Sequence, residues 1–274
     1  MKITALMENT CKSDSLHTEH GLSFYIEAAG LRILFDTGMS GAFAENAAAL
    51  GIDLTQADLA VLSHGHFDHG GGLRTFLELN RSAPVYLRKM AFDKHYSQRP
   101  DELFYNGLDA ALLPNSRFIF TDPFFVINEA LSVFSEVPAY EPLFASSKTQ
   151  LEVLNGQLIP DRFLHEQNLV IRENGHYTLI AGCAHSGILN ILTRFRELYG
   201  CDPTCVVGGF HLMIPNLGKS IPDTEIDALA LRLKAMKGTV FYTCHCTGKY
   251  AYTRLHTLLG SQISYISTGM TIEH

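Results

Sequence analysis

A chain of 274 residues, of which 46% are hydrophobic and 18% charged, is long enough to bury a sizeable core as one large domain. The formal net charge of -7, with no cluster of Lys and Arg, argues against a nucleic-acid groove, which needs a basic surface to replace counterions. The first ten residues lack the apolar core and cleavage site typical of a signal peptide, and no apolar run approaches bilayer length. We therefore expect a cytoplasmic protein with no membrane partner and a single domain over residues 1–274.

The first quarter of the chain is rich in strand signals. Apolar segments predict strands over residues 2–8, 22–28, 31–35 and 58–62. Between them, the Ala- and Leu-rich segment 42–50 predicts a helix. The last strand leads directly into Ser63-His64-Gly65-His66-Phe67-Asp68-His69 and three glycines, which end the loop. The histidines are therefore expected on a strand-end loop, where function tends to concentrate.

The second half of the chain alternates strands and helices. Residues 169–172 and 177–180 flank the turn Glu173-Asn174-Gly175 and predict a hairpin. Helices are predicted over residues 187–199 and 223–236, and a further one after Gly248. Strands, glycine-rich loops and helices in this order are typical of an α/β (α+β) fold.

Three imidazoles and one carboxylate fall within six positions, from His64 to His69. Neutral imidazole nitrogens and carboxylate oxygens are ligands for zinc and its first-row relatives, and a catalytic site leaves one position to water. His64 and His66 can hold one ion, while Asp68 and His69 can point towards a second. A lone histidine is more often a core or surface side chain, but this density favours a metal site.

The segment His64-Gly65-His66-Phe67-Asp68-His69 matches the HxHxDH signature of the metallo-β-lactamase-fold hydrolases, which the chain resembles over nearly its whole length. The resemblance implies a four-layer αββα sandwich. It implies that Asp36 supports the metal loop, that His185 is the third ligand of the first ion, and that His245 is the last ligand of the second. Strand-end loops distant in sequence would then meet at one edge of the sandwich.

One position departs from the pattern of that superfamily. Most members supply an aspartate that bridges the two ions, and this chain has His211 in that place. A carboxylate can bridge two cations and offset their repulsion, whereas an imidazole normally binds one ion and adds no charge. We expect one or two divalent ions, zinc first with manganese or iron as alternatives. His211 is expected as a further metal ligand and, with Asp68, as a catalytic residue.

Four motifs are similar to one branch of the superfamily, the 7,8-dihydropterin-6-yl-methyl-4-(β-D-ribofuranosyl)aminobenzene 5'-phosphate synthase family. They lie at residues 20–27, 182–188, 208–212 and 244–248. The name implies a transferase of pterin biosynthesis from which diphosphate leaves. Because one fold hosts many chemistries, the resemblance is used here for the site, and the substrate is left open.

Residues 84–165 are less regular and contain several prolines and aromatics. In the superfamily, material between the first and third metal loops often covers the cleft, so this segment is expected to include a cleft-covering insertion. Core packing is the alternative for most of its aromatic side chains. Any that reach the cleft can stack on a flat ring such as a pterin.

Six cysteines are too few for a disulfide scaffold in a chain of this length, so we expect reduced thiols. Two of them, Cys244 and Cys246, flank His245 and are potential soft ligands. Alternation along a strand is expected to point both away from the face that His245 uses. Cysteine ligation is therefore the less favoured alternative.

Candidate substrate contacts carry weaker signals, and they are Asn9, His20, Thr247 and Lys249. Thr247 precedes a predicted helix whose first amides can hold an anion, and Lys249 adds positive charge. The alternatives are a capped helix with a solvated lysine, and turn or capping roles for Asn9 and His20.

These observations favour metal-assisted displacement on a small, phosphorylated substrate. A bound ion lowers the pKa of its water towards ~7, which makes a metal-bound hydroxide available, and Asp68 can orient or deprotonate that water. The first hypothesis is a metal-dependent hydrolase of a phosphorylated or ester substrate. The alternatives are the pterin-linked transferase and a protein that keeps the site for binding without turnover.

Overall fold

The computed structural model describes residues 1–214 and 218–274, and two seven-stranded sheets form its centre. Numbered along the chain, the strands of the first sheet lie in the order β20 (Thr271–Glu273), β1 (Lys2–Met7), β2 (Ser23–Ala28), β3 (Leu31–Phe35), β4 (Leu59–Val61), β5 (Val85–Leu87) and β8 (Phe118–Phe120). From β3 to β8 these strands are parallel. Parallel strands end at the same edge of a sheet, so Asp36 after β3 and His64 after β4 emerge side by side.

The second sheet repeats this arrangement. Its strands lie in the order β19 (Ile263–Tyr265), β18 (Val240–Thr243), β15 (Cys205–Gly208), β14 (His176–Ile180), β13 (Gln167–Glu173), β10 (Leu131–Ser135) and β9 (Phe124–Val126). Strands β14, β15, β18 and β19 are parallel. The segments that follow β14, β15 and β18 carry His185, His211 and His245 to one edge. The predicted hairpin is confirmed as β13 and β14.

Helices cover the outer faces of both sheets. They are α1 (Ala42–Ala49), α2 (Phe67–Gly70), α3 (Leu73–Leu79), α4 (Ile188–Tyr199), α5 (Asp223–Lys234) and α6 (Lys249–Leu259). One buried cluster, with Phe43 and Phe76, joins α1 and α3 to the first sheet. A second, with Phe24 and Ile171, lies between the sheets, and a third, with Phe195, joins α4, α5 and α6 to the second sheet. Three interfaces make four layers, which confirms the predicted αββα sandwich.

Residues 84–165 divide between the main sheets and a smaller one. Strands β5, β8, β9 and β10 extend the two central sheets. The others form a four-stranded sheet in the order β12 (Gln157–Pro160), β11 (Gln150–Leu154), β6 (His95–Gln98) and β7 (Leu103–Tyr105). A two-stranded ladder, β16 (Met213–Ile214) and β17 (Lys219–Ser220), follows His211. Where domain boundaries lie stays a prediction.

Element boundaries follow local chemistry. Helix α4 ends at Tyr199 and is capped by Gly200, whose φ of +72° is the left-handed conformation that glycine adopts without steric conflict. The strand predicted to run up to His245 ends at Thr243, and His245–Thr247 form a short 3-10 turn instead. In the described parts of the chain, no helix combines the length and the apolar character needed to cross a bilayer.

Candidate metal centre

The histidine-rich segment after β4 folds into a tight loop followed by one helical turn. His66 is the N-cap residue of α2, and Asp68 and His69 lie within that turn. A Cβ atom at Gly65 would lie 2.3 Å from the carbonyl oxygen of Ala91, so this close backbone approach requires glycine. The fold buries His64, His66, Asp68 and His69.

His64, His66 and His185 form the first group of potential ligands. Nε2 of His64 lies 3.2 Å from Nε2 of His185, and the His66 ring centroid lies 4.6 Å and 4.7 Å from those of His64 and His185. Burial, and after it the neighbouring histidines, lowers the pKa of all three well below the usual value. The rings are therefore neutral at pH 7, which is the form that binds a metal.

Asp68, His69 and His245 form the second group. Nε2 of His245 lies 3.1 Å from Nε2 of His69 and 3.2 Å from Oδ2 of Asp68. Ligand atoms about 2.0–2.2 Å from one zinc ion at tetrahedral angles are about 3.3–3.6 Å apart, close to these separations. Burial alone would raise the pKa of Asp68, but His69 and His245 hold it well below its usual range. Burial opposes the charged form of His245, yet the hydrogen bond with Asp68 raises its pKa to about 9.

Three of the histidines use Nδ1 for a hydrogen bond and turn Nε2 towards the ligand groups. The pairs are His69 with Asp36 at 2.6 Å, His64 with the Ser63 hydroxyl at 2.8 Å, and His245 with Asn9 at 2.8 Å. Each acceptor takes the Nδ1 proton, so that Nε2 is the nitrogen left to bind a metal, although in His245 an ion would first replace the Nε2 proton that bonds to Asp68. Metal-binding histidines are oriented in this way in proteins generally.

Asp36, predicted to support the metal loop, contacts two residues of that loop, Ser63 and His69. Its carboxylate accepts hydrogen bonds from the backbone N–H and the hydroxyl of Ser63, both at 2.7 Å, and from His69. The backbone of Asp36 has a φ of +58°. Asp and Asn are among the few non-glycine residues that adopt this conformation readily.

Two buried glutamates that were not predicted as site residues hold the other ligand loops. Glu8 accepts from the backbone N–H of His245 at 2.6 Å, and Glu166 accepts from that of His185 at 2.6 Å. Burial raises the pKa of Glu166. Glu8 follows β1 as an acid at the end of an apolar run, which was the only sequence signal.

His211 lies beside the first group. Its ring centroid is 4.1 Å from that of His185, and the residue is 5% exposed. Neither of its ring nitrogens has a hydrogen-bond partner among the described residues. Such buried, unpaired polar atoms are rare in proteins and call for an explanation such as an ion.

A second array of titratable groups, His95, Asp161 and His165, lies behind the metal loop and was missed in the sequence. His165 Nδ1 accepts from the backbone N–H of Gly65 at 2.9 Å, so its Nε2–H points to Asp161, 3.2 Å away. His95 donates to Asp161 at 3.0 Å and to the Met90 carbonyl at 3.0 Å. Although these side chains could group around an ion with His66, each of their ring nitrogens already has a partner. We read the array as a support for the loop.

A cavity of about 100 Å³ opens onto the ligand groups. Its walls include His20 and three residues of the small sheet region, Ser97, Arg99 and Phe104. The Arg99 guanidinium lies 3.4 Å from the centroid of the Phe104 ring and also pairs with Glu102 at 2.8 Å. The small sheet region thus forms part of the cleft wall, and a cleft-covering insertion within residues 84–165 stays a prediction.

The four predicted substrate contacts lie in different parts of the structure. His20 lines the cavity, with Nε2 3.4 Å from Oδ2 of Asp68, and burial lowers its pKa to about 4. Asn9 supports His245, as described above. Thr247 is fully buried and accepts from the backbone N–H of Phe210 at 2.8 Å, which is a packing role. Lys249 lines separate grooves rather than this cavity.

The prediction that both cysteines beside His245 point away from the site is wrong for Cys246. Because the chain leaves the strand at Thr243, strand alternation no longer applies there. Cys246 lines the cavity, whereas Cys244 lies in the core between the sheets. Cys183 also lines the cavity, 3.1 Å from His69 Nε2. Burial raises the pKa of its thiol, a penalty that a cation removes by deprotonating the sulfur it binds.

The donor set fits divalent metal ions. His66 Nε2, His185 Nδ1 and both nitrogens of His211 are buried without hydrogen-bond partners in the described chain. Potential ligand atoms lie within 4.8 Å of one another in the sets His64, His66 and Asp68, and Asp68, His69, Cys183 and His245. Imidazole, carboxylate and thiolate together favour zinc or another first-row metal over magnesium.

Comparison with known proteins agrees with this geometry. A family model described as "Metallo-beta-lactamase superfamily" matches residues 18–188. A relative from Methanocaldococcus jannaschii, named 7,8-dihydropterin-6-methyl-4-(beta-D-ribofuranosyl)-aminobenzene-5'-phosphate synthase, is 27% identical over 270 residues, covering 90% of this chain and 88% of its own.

Solved structures are similar over the whole chain. Tm1679, described as a metal-dependent hydrolase of the beta-lactamase superfamily, aligns with a TM-score of 0.84 and 30% identity, covering 100% of this chain and 99% of its own. PqqB from Methylobacterium extorquens aligns with a TM-score of 0.56 and 14% identity over 100% of both chains, a likeness of fold alone.

Proposed function

Because the chain belongs to the metallo-beta-lactamase superfamily, we propose that it is a metal-dependent hydrolase of a small phosphorylated ester. The observation that carries this proposal is the common orientation of His64, His69 and His245. All three bind an acceptor through Nδ1 and present Nε2 to the ligand groups. Nε2 of His69 lies 3.1 Å from that of His245, and Nε2 of His64 lies 3.2 Å from that of His185, whose side chain lines the cavity.

His64, His66 and His185 would hold one ion, and Asp68, His69 and His245 a second, with His211 beside them. A bound divalent ion supplies a Lewis acid and lowers the pKa of its water towards ~7. The cavity is lined by His66, Asp68 and His185, so ions held by these residues would keep a face open to it. Substrate and water would enter through this face.

Asp68 is better suited to orienting water than to taking its proton. Its pKa lies well below the usual range, so the carboxylate is ionised at neutral pH but is a weak base. His20 fixes it from the cavity side. Asn9 Nδ2 lies 3.3 Å from His20 Nδ1 and donates to it, so His20 Nε2–H points to Asp68. Asp68 is thereby held in one rotamer at the cavity floor.

Arg99 supports the choice of a phosphorylated substrate. Its guanidinium is a positive charge in the cavity wall, and arginine binds phosphate oxygens through two parallel hydrogen bonds. A cavity of about 100 Å³ admits a phosphoryl group but not a whole nucleotide or pterin. The remainder of the substrate would lie outside, along the small sheet.

The test is a substrate screen on protein loaded separately with zinc, manganese and iron. Phosphomonoesters, phosphodiesters, cyclic phosphates and carboxylic esters are supplied, and product is followed for the wild type and for Asp68→Asn. We expect metal-dependent cleavage of at least one phosphorylated ester and a loss of about 100-fold or more in kcat for Asp68→Asn. His176→Gln, at the exposed start of β14, is the matched control and keeps full activity.

Metal binding without cleavage of any ester would contradict the hydrolase proposal. That result would leave a binding protein, which is a distinct function. The similarity to the pterin-linked synthase over 90% of the chain favours a second candidate, a transferase that releases diphosphate. Diphosphate release that requires an aromatic amine and produces no free phosphate would favour that transferase over the hydrolase.

A further inference from the structure

The two ion positions lie close together, and the place that usually supplies a bridging aspartate holds His211. Two divalent cations at this separation repel strongly, so an anionic ligand between them is needed for both to bind tightly. Asp68 groups with both sets of ligands but supplies a single negative charge. This further inference rests on the proposed pair of metal ions. A second residue with a negative charge is then needed between the two ions.

Cys183 occupies the required position. Its Sγ groups with Asp68, His69 and His245, with all ligand atoms within 4.8 Å of one another, and it groups equally with His64 and His185. It also lies 3.1 Å from Nε2 of His69. Cys183 is 2% exposed and lies two residues before His185, in the same loop after β14. One sulfur atom therefore faces both ion positions.

A lone thiol would not make a site, but the surrounding atoms point independently to a ligand. His211, beside Cys183, has two buried ring nitrogens without partners, and His185 has one. In addition, a Cβ atom at Gly182 would lie 2.2 Å from the Ser63 hydroxyl, so the loop that carries Cys183 is pressed against the metal loop. The thiol is held in the middle of the ligand groups.

We propose that the thiolate of Cys183 is the anionic ligand shared by the two metal ions. On binding, the S–H bond is replaced by bonds from sulfur to the two ions, and the proton is released to the solvent. The thiolate and Asp68 then place two negative charges against the four positive charges of the ion pair. A soft sulfur ligand favours zinc, cobalt or iron over magnesium or manganese.

The test uses cobalt as a spectroscopic probe. Metal-free protein receives two equivalents of Co²⁺, and near-ultraviolet absorption from thiolate-to-cobalt charge transfer is recorded together with the amount of metal bound. We expect the wild type to show this band and Cys183→Ser to lose it, with second-ion affinity reduced about 10- to 100-fold. The exposed Cys201→Ser is the control and keeps the band. Cys246→Ser tests the neighbouring cavity thiol, whose Sγ lies within 4.8 Å of ligand atoms of Cys183 and His211, and it also keeps the band.

Two results would overturn the proposal. One is a wild type that binds two cobalt ions without the band, and the other is a band that survives in Cys183→Ser or disappears in Cys246→Ser alone. If Cys183→Ser does not fold, X-ray absorption on the zinc-loaded wild type decides, because sulfur ligation gives a shell at about 2.3 Å. A band without ester cleavage would contradict the proposed hydrolase and leave this inference intact.

Discussion

Asp36 combines two demands in one residue. Its buried carboxylate accepts from Ser63 and from His69, and its backbone adopts a φ of +58°. The hydrogen bonds require acceptor oxygens that face both Ser63 and His69, and the positive φ favours Asp or Asn over most other residues. The resemblance in sequence leads to Asp36, but only the structure identifies His69 as the ligand that it orients.

Replacing Asp36 by Asn tests this role while keeping the backbone conformation. One carboxylate oxygen of Asp36 accepts from the Ser63 backbone N–H, and the other accepts from the Ser63 hydroxyl and from His69. An amide places an NH2 group, which cannot accept, at one of these two positions, and it also removes the negative charge beside His69. We expect affinity for the ion held by His69 to fall about 10- to 100-fold, as for other residues that orient metal ligands. Calorimetric metal titration measures this, with Asp58→Asn at the surface as the control. Unchanged affinity would mean that His69 needs no orienting partner.

His245 gives the second ion position a distinct pH dependence. Its pKa is raised to about 9, so an ion must displace a proton from it at neutral pH. Affinity at this position should therefore fall at least about tenfold for each pH unit below about 9. The pKa values of His64, His66 and His185 are lowered well below the usual value, so these histidines release no proton to an ion between pH 9 and pH 7, and affinity at their position should fall less steeply. Parallel slopes for the two ions in metal titrations would refute this.

At the scale of elements, the ends of strands carry the chemistry. The strands and helices with strong periodic signals, such as β13, β14 and α4, could be predicted from the sequence because local pattern decides them. The orientation of Cys246 could not be predicted, because the strand ends at Thr243 and the chain turns there, so the alternation of side chains along a strand no longer applies. The contact of His165 with the metal loop could not be predicted either, because its partner Gly65 is 100 residues away and no local pattern links the two.

Gly65 allows a test of the loop's close packing. Gly65→Ala places a Cβ atom 2.3 Å from the Ala91 carbonyl oxygen and 2.7 Å from its Cα, both of which are backbone atoms. We expect about 1–3 kcal/mol of lost stability and a displaced metal loop with weaker metal binding. Thermal unfolding measures the loss. Gly238→Ala is the control, because nothing lies within 4 Å of its Cβ position. Equal unfolding temperatures for the two variants would show that the loop adapts.

At the scale of the whole molecule, the four layers bring distant segments together. The order of strands and helices, with the signature at His64 to His69, was enough to predict the sandwich and most potential ligands. The small sheet was not predictable, because its strands are short and partly exposed and lack a clear alternating pattern. Arg99 therefore carried no sequence signal, since only the fold places it in the cavity wall.

Arg99→Ala separates recognition of phosphate from chemistry. Losing a charge-assisted hydrogen bond of about 1.5–3 kcal/mol should raise KM for a phosphorylated ester about 10- to 100-fold, with a smaller change in kcat. An uncharged ester should show no such change in KM. Arg74→Ala, whose guanidinium pairs with Asp109 on the surface, is the matched control. Steady-state kinetics on the two substrates decides, and an equal rise in KM for both would argue against a phosphate contact.

His64 and His69 follow the first sheet, whereas His185 and His245 follow the second, and Nε2 atoms from the two sides lie 3.1–3.2 Å apart. An ion held there would act as a cross-link across the seam between two halves of the chain. Free metal at 100 times its dissociation constant would then add about 2.7 kcal/mol to the free energy of unfolding. A calorimetric scan should give a melting temperature that climbs with zinc concentration and drops with a chelator, so that metal supply governs how firmly the halves are joined.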